Sequence, residues 1–295
     1  MRRLLAVLAL AILLSNGCGG SEPGAASGRL LKVVATTTQL ADFAQVVGGT
    51  RVDVYSVLRS GVDAHDFEPS PADIEAIGDA DVIIQNGVGL EEWFEDTIDS
   101  AAPQGQVVDA SRGARIRDDR NPHIWFDPRN AKVMVANITD ALVVADPPGS
   151  SVYRANRRAY TEELEGLDTE IAEQLGGLAN KKLVSNHDAF AYYVDRYGLE
   201  FVGSVIPSFD TQAELSSSDI SDLVAKIERE GVKAVFSEAS LPPKTAAAIA
   251  AEAGVTIVDG DDALFGDSLG PRGSDGDSYL KMQRHNTRVI VENLG

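Results

Sequence analysis

Residues 151–178, SVYRANRRAYTEELEGLDTEIAEQLGGL, restrict the possible folds more than any other part of this chain. Val152, Tyr153, Tyr160, Leu164, Leu167, Ile171 and Leu175 recur mostly at helical spacings, so one face of the run is apolar. No proline interrupts it, and its one glycine before the terminal pair, Gly166, lowers helix propensity by only about 1 kcal/mol. The spacing predicts a helix of about seven turns, more than roughly 30 Å long and able to cross the molecule. The segments before and after such a rod must then fold as separate units.

Each of those segments alternates strand-like and helix-like runs. Before the rod, LLKVVATT, RVDVYSVL, DVIIQNG and QVVDA read as strands, and TQLADFAQVVGG, SPADIEAIGDA and LEEWFEDTIDSA read as helices. Ser70 and Pro71 suit the N-cap and first turn of the second of these helices. A further helix is predicted over 129–145, stopped by DPPGS. After the rod, KKLVSNH, LEFVGSVI, VKAVFSEA and VTIVDG read as strands. AFAYYVDRYG, SSSDISDLVAKIEREG, PPKTAAAIAAEAG and DSYLKMQRHNTRVIVENL read as helices. This is the rhythm of parallel sheets covered by helices. The expected fold class is α/β: two doubly wound parallel-sheet lobes bridged by one long rigid helix. The lobes are expected at 30–147 and 179–295, with the linking helix at 148–178.

The N-terminus carries a different signal. Arg2 and Arg3 precede LLAVLALAILL, an apolar run too short to span a bilayer but suited to the core of a signal peptide. Residues 1–17 read as that peptide. The only cysteine, Cys18, follows in LSNGCGG and cannot form an internal disulfide. It reads as a lipid-attachment site resembling that of bacterial lipoproteins, although Ser15 stands where the usual pattern has Leu. Residues 18–29 then form a flexible tether rich in glycine and small residues. The full chain carries a net charge of −19, and loss of Arg2 and Arg3 with the signal peptide leaves −21. Such a charge argues against nucleic acid and anionic membrane surfaces as partners and suits a cation ligand.

Histidine is scarce, with four in the chain. Three of them follow predicted strands: His65 after RVDVYSVL, His123 after QVVDA and His187 directly after KKLVSN. Asp267 similarly lies past VTIVDG. Ligands of doubly wound sheets sit off the carboxyl ends of strands, so two candidates from each lobe face one cleft. Imidazole and carboxylate are the ligand types of zinc and other borderline divalent ions. His285, beside Arg284 on the last helix, reads as part of a solvated face.

Six segments together carry a resemblance: GVDAHDFEPSPADI, DVIIQNGVGLEEWF, PHIWFDPRNA, NHDAFAYYVDRYGL, VFSEASLPPK and GDSLGPRGSDGDSYLKMQRHN. From about residue 31 to 294 the chain resembles the metal-binding lipoproteins (solute-binding proteins) of zinc and manganese ABC importers, the cluster A-I family. The resemblance implies two α/β lobes bridged by a rigid helix, with His65, His123, His187 and Asp267 as ligands of a transported metal. It implies a monomer held by its lipid anchor at the outer face of the bacterial cytoplasmic membrane, with an ABC-transporter membrane permease as its partner. The third ligand of the family is His or Glu, and here it is His187. The histidine-rich loop common in zinc importers is absent from DASRGARIRDDRNP.

Three imidazoles and one carboxylate suit tetrahedral Zn2+, with Mn2+ as the alternative. The rival readings are a metal-dependent hydrolase and a surface adhesin. A catalytic zinc keeps an open position and a base nearby, whereas four protein ligands fill this site, and no H-E-x-x-H is present. Glu238 is the one candidate base, and it better suits a carboxylate that orients a ligating histidine. The expectation is therefore no enzyme. For Cys18, a Cys18→Ala protein is expected to lose acyl labelling and to be released from the membrane or left unprocessed. Unchanged membrane retention after radiolabelled-lipid feeding and fractionation would contradict that assignment.

Overall fold

The computed structural model describes residues 29–295 except 118. Cys18, the signal segment and the tether up to residue 28 lie outside the described residues. The first lobe contains β1 (Leu31–Ala35), α1 (Thr38–Gly48), β2 (Val52–Ser56), α2 (Pro71–Gly78), β3 (Val82–Gln85), α3 (Phe94–Ala101), β4 (Gln106–Asp109) and α4 (Pro128–Ala145). Its strands form one parallel sheet in the order β2-β1-β3-β4, with Val33 of β1 opposite Val54 on one side and Val82 on the other. Next comes α5 (Ser150–Gly176). The second lobe contains β5 (Lys182–Ser185), α6 (Ala191–Tyr197), β6 (Glu200–Ser204), α7 (Ser217–Glu230), β7 (Ala234–Phe236), α8 (Lys244–Ala253), β8 (Thr256–Val258) and α9 (Tyr279–Leu294). Its sheet is also parallel, in the order β6-β5-β7-β8. The strand order reverses beside β1 in one lobe and beside β5 in the other. That places a ligand crevice at the carboxyl ends of each sheet.

Helix α5 is 27 residues long, about 40 Å at the usual rise. It packs on α1 and α4 of the first lobe and on α6 and α9 of the second. Tyr153, Tyr160, Leu164, Leu167, Ile171 and Leu175 are buried, as the periodicity predicts. Val152 is the exception at 41 % exposed, because it falls off that stripe at the first turn. A single apolar cluster includes these side chains, Phe43 and Trp125 of the first lobe, and Phe190, Tyr193 and Tyr279 of the second. The lobes therefore share a core behind the cleft. Polar ties reinforce it: Asp42 on α1 accepts from the backbone N–H of Tyr279 at 2.9 Å, and the Tyr279 hydroxyl donates to the carbonyl of Trp125 at 2.6 Å.

Two local expectations are corrected. The third helix starts at Phe94 rather than Leu90; residues 90–93 form a bend and a turn instead, with the buried Glu91 carboxylate turned back to accept from Thr36 Oγ1, Asn86 N and Gly87 N. His285 does not lie on a solvated face. It is 4 % exposed, its Nε2 meets the carbonyl of Ala263 at 3.0 Å, and its ring lies against Phe265. Helix α9 buries a wide face because the loop at 263–265 covers it on a side that the apolar stripe alone does not mark.

Gly166 sits on the exposed side of α5, and a Cβ there meets nothing within 4 Å. Gly166→Ala should stabilise the protein by about 0.5–1 kcal/mol, since Ala restricts the unfolded chain and fits the helix. A rise in the chemical denaturation midpoint at constant slope is the expected result.

Candidate metal centre

His65 lies in the loop between β2 and α2. The chain enters that helix through Ser70, whose side chain accepts from Asp73 N while Asp73 reaches back to the Ser70 N–H. His123 is set by the motif that follows it. Ile124, Trp125 and Phe126 are all fully buried and plug the lobe, while Asp127 caps α4 and Pro128 occupies its first turn. His187 comes two residues after β5, and Asp267 follows β8 in the loop that pairs with the extension of β7. There Leu264 N donates to Ser237 O and Ala239 N to Leu264 O, at 2.9 and 2.8 Å. All four candidates thus leave the carboxyl ends of strands.

The structure brings the four together. One ligand atom from each lies within 4.8 Å of the others. The His123 Nε2 is 3.3 Å from His65 Nε2, 3.1 Å from His187 Nε2 and 2.9 Å from Asp267 Oδ1. His187 Nε2 is 3.5 Å from the same oxygen. A tetrahedron around an ion with bonds of 2.0–2.1 Å has edges of about 3.3 Å, close to these separations. His123, His187 and Asp267 are fully buried, and His65 alone has intermediate exposure.

Hydrogen bonds at the outer ring nitrogens determine what the inner ones present. Asn121 Oδ1 accepts from His123 N at 3.0 Å and meets its Nδ1 at 2.7 Å. The Asn121 amide nitrogen donates to the carbonyl of Asp188 at 2.6 Å, so the amide cannot be turned round. The Nδ1 of His123 therefore carries the hydrogen, and its Nε2 presents a lone pair. Glu238 Oε1 accepts from His187 N at 3.0 Å and meets His187 Nδ1 at 2.9 Å, with the same consequence for neutral His187. A bare nitrogen then faces a carboxylate oxygen at 2.9 Å in a water-poor site, an arrangement that a cation between them makes favourable. Asp267 Oδ2 is buried with no hydrogen-bond partner. The donor set fits a divalent transition metal.

Charge follows the same geometry. Burial holds His123 down at about 3. Burial also opposes charge on His187, but the Glu238 and Asp267 carboxylates outweigh it and hold its pKa well above the ordinary histidine range. Burial would raise Asp267, yet the positive His187 beside it holds that carboxyl well below the usual range. Without a metal, a proton on His187 occupies the role of the cation.

Glu238 lies where the sequence places a carboxylate behind a histidine. Gly266 was not singled out, and it is required: a Cβ there would come within 2.1 Å of Glu238 Oε2. Asn121 was missed as well, although a polar residue two before His123 is a natural partner for its outer nitrogen. The loop 262–277, with four glycines, suggests that Asp267 is the ligand most easily withdrawn. The structure differs. Thr38 Oγ1, Ser60 Oγ and the Gly61 N–H tie Ser268 and Leu269 to the first lobe, and it is His65 that reaches solvent.

Two α/β lobes on a long helix thus bring three histidines and one aspartate, two from each lobe, to a single cluster at the cleft. Residues 33–293 match the family described as "ZnuA: Zinc-uptake complex component A periplasmic", and the chain belongs to it, among the substrate-binding components of metal ABC importers. It is 30 % identical over 306 residues, covering 98 % of this chain and 97 % of the relative, to the manganese ABC transporter substrate-binding lipoprotein PsaA of Streptococcus mitis. It is 31 % identical over 301 residues to the iron ABC transporter substrate-binding lipoprotein MtsA of Streptococcus pyogenes serotype M1, covering 97 % and 96 % of the two chains. The solved periplasmic zinc binding protein TroA of Treponema pallidum superposes with a TM-score of 0.84 at 28 % identity, over 91 % of this chain and all of that one.

The Glu238 and Asp267 carboxylates favour a proton on His187 in the metal-free site, and an entering metal competes with it. Affinity should fall as pH drops, approaching about tenfold per pH unit below the raised His187 pKa. Calorimetry in buffers of different ionisation enthalpy should show proton release at pH 7. The release should shrink in Glu238→Gln, which removes one of the carboxylates holding the proton.

Proposed function

We propose that this chain is the extracytoplasmic receptor of an ABC importer that captures one divalent transition metal, zinc by preference, and passes it to a membrane permease. The observation that carries this reading is the convergence of three imidazoles and one carboxylate within 4.8 Å of one another, with His123 Nε2 at 2.9–3.3 Å from each of the other three. Three nitrogens and one oxygen, the number and types of a tetrahedral site, favour zinc, and the affinity order at a nitrogen-rich site does so too. The metal is cargo, and the chain carries out no chemistry on it. The protein works as a monomer held by a diacylglyceryl group on Cys18 at the outer face of the membrane. No helix among the described residues is long and apolar enough to span a bilayer.

A second reading, manganese as cargo, is favoured by one observation. Asp267 Oδ2 has no other partner, so the carboxylate is free to bind through both oxygens and bring the count to five, which suits manganese better. The relatives named for manganese, iron and zinc span the same choice. The deciding experiment is metal analysis of protein purified without chelator, followed by competition between zinc and manganese. One zinc per chain, retained against excess manganese, is expected. His65→Ala and His187→Ala should each weaken zinc at least about a hundredfold by removing a ligand. Wild-type zinc affinity in either variant removes that residue from the site.

A further inference from the structure

Asn121 is fully buried and is not itself among the four candidate ligands, yet every polar atom of the residue is hydrogen-bonded, two of them to the second lobe. Its side-chain oxygen accepts from His123 N at 3.0 Å and from Nδ1 at 2.7 Å. Its side-chain nitrogen donates to the carbonyl of Asp188, the residue after His187, at 2.6 Å. Its backbone carbonyl accepts from the hydroxyl of Tyr192 on α6 at 2.7 Å, and that hydroxyl in turn accepts from Arg117 N at 3.1 Å. Asn121 N donates to Asp119 Oδ1 at 3.1 Å. One planar amide thus orients a ligand ring of the first lobe and grips the backbone beside a ligand of the second.

We propose that Asn121 is a positioning residue that couples the two halves of the metal site, so that His123 presents its lone pair only while the lobes are engaged. This rests on the receptor reading above and adds the element that links ligand orientation to lobe contact. The coupling follows from the chemistry of a single rigid group. If the second lobe withdraws, the amide nitrogen loses its acceptor, and the amide is free to turn. Turned, it offers N–H in place of C=O to His123, which reverses the ring's hydrogen-bond pattern and places the hydrogen on Nε2, where it blocks a metal. Glu238 lacks this property toward His187, because both lie in the second lobe and a carboxylate can only accept.

Two substitutions separate the functions of the amide. Asn121→Asp is nearly isosteric and still accepts from His123, but it cannot donate to Asp188. Asn121→Ala loses both contacts. In the metal-free protein, imidazole nitrogen NMR should show His123 with hydrogen on Nδ1 in wild type and in Asn121→Asp, and a mixture of tautomers in Asn121→Ala. Hydrogen exchange of residues 186–190 should quicken in both variants. With zinc added, Asn121→Ala should lose about 10–100-fold in affinity, the usual effect of removing a partner behind a ligating histidine. Asn121→Asp should keep the cobalt-substituted absorption spectrum of wild type but release zinc about tenfold faster. Wild-type exchange and release rates in Asn121→Asp would overturn the coupling, and a single unchanged tautomer in Asn121→Ala would overturn the orienting role. If wild-type protein binds none of zinc, manganese or iron, the receptor reading fails. The tautomer and exchange measurements on metal-free protein then still decide what Asn121 does.

Discussion

The whole arrangement depends on one constraint: four electron-pair donors converge within 4.8 Å of one another, three of them fully buried, and cannot satisfy themselves. Imidazole nitrogens stripped of hydrogen by partners on their far sides, set against a carboxylate, repel unless something positive sits among them. A proton on His187 meets that need in part and a divalent ion meets it in full. The same feature predicts that a cation entering the site competes with protons.

The fold exists to hold those donors in register. Each sheet delivers two of them from the carboxyl ends of its strands, and the shared apolar core along α5 limits how far the sheets can drift apart. An uninterrupted helix of 27 residues does not bend without a proline, an inserted water or a comparable fault. Small displacements at the cleft, rather than wide hinging, are then the natural means of gaining and losing an ion. His65 is the most exposed of the four candidate ligands. Its loop meets the second lobe through Asp63, which accepts from Thr211 at 2.7 Å.

Much of this was legible from sequence because it rests on local or periodic signals. The α5 stripe, the strand-helix alternation and the placement of His65, His123, His187 and Asp267 after strands follow from residue order. Glu238 was legible through the rule that a ligating histidine needs an outer partner. Asn121 and Gly266 were not. The amide matters because Asp188, distant in sequence, lies on its other side, and the glycine matters because Glu238 Oε2 occupies the space of its absent side chain. His285 misled for the same reason, since its neighbour charge suggested solvent while a distant loop covers it. Features defined by contact between segments do not show in periodicity.

The identity of the atoms around the bound ion is the most direct test of this account. X-ray absorption spectroscopy on protein loaded with one zinc per chain reads those atoms without assuming a fold. The account predicts three imidazole nitrogens and one or two carboxylate oxygens at about 2.0–2.2 Å. A shell of oxygen alone, or one with fewer than three imidazoles at full occupancy, would contradict it.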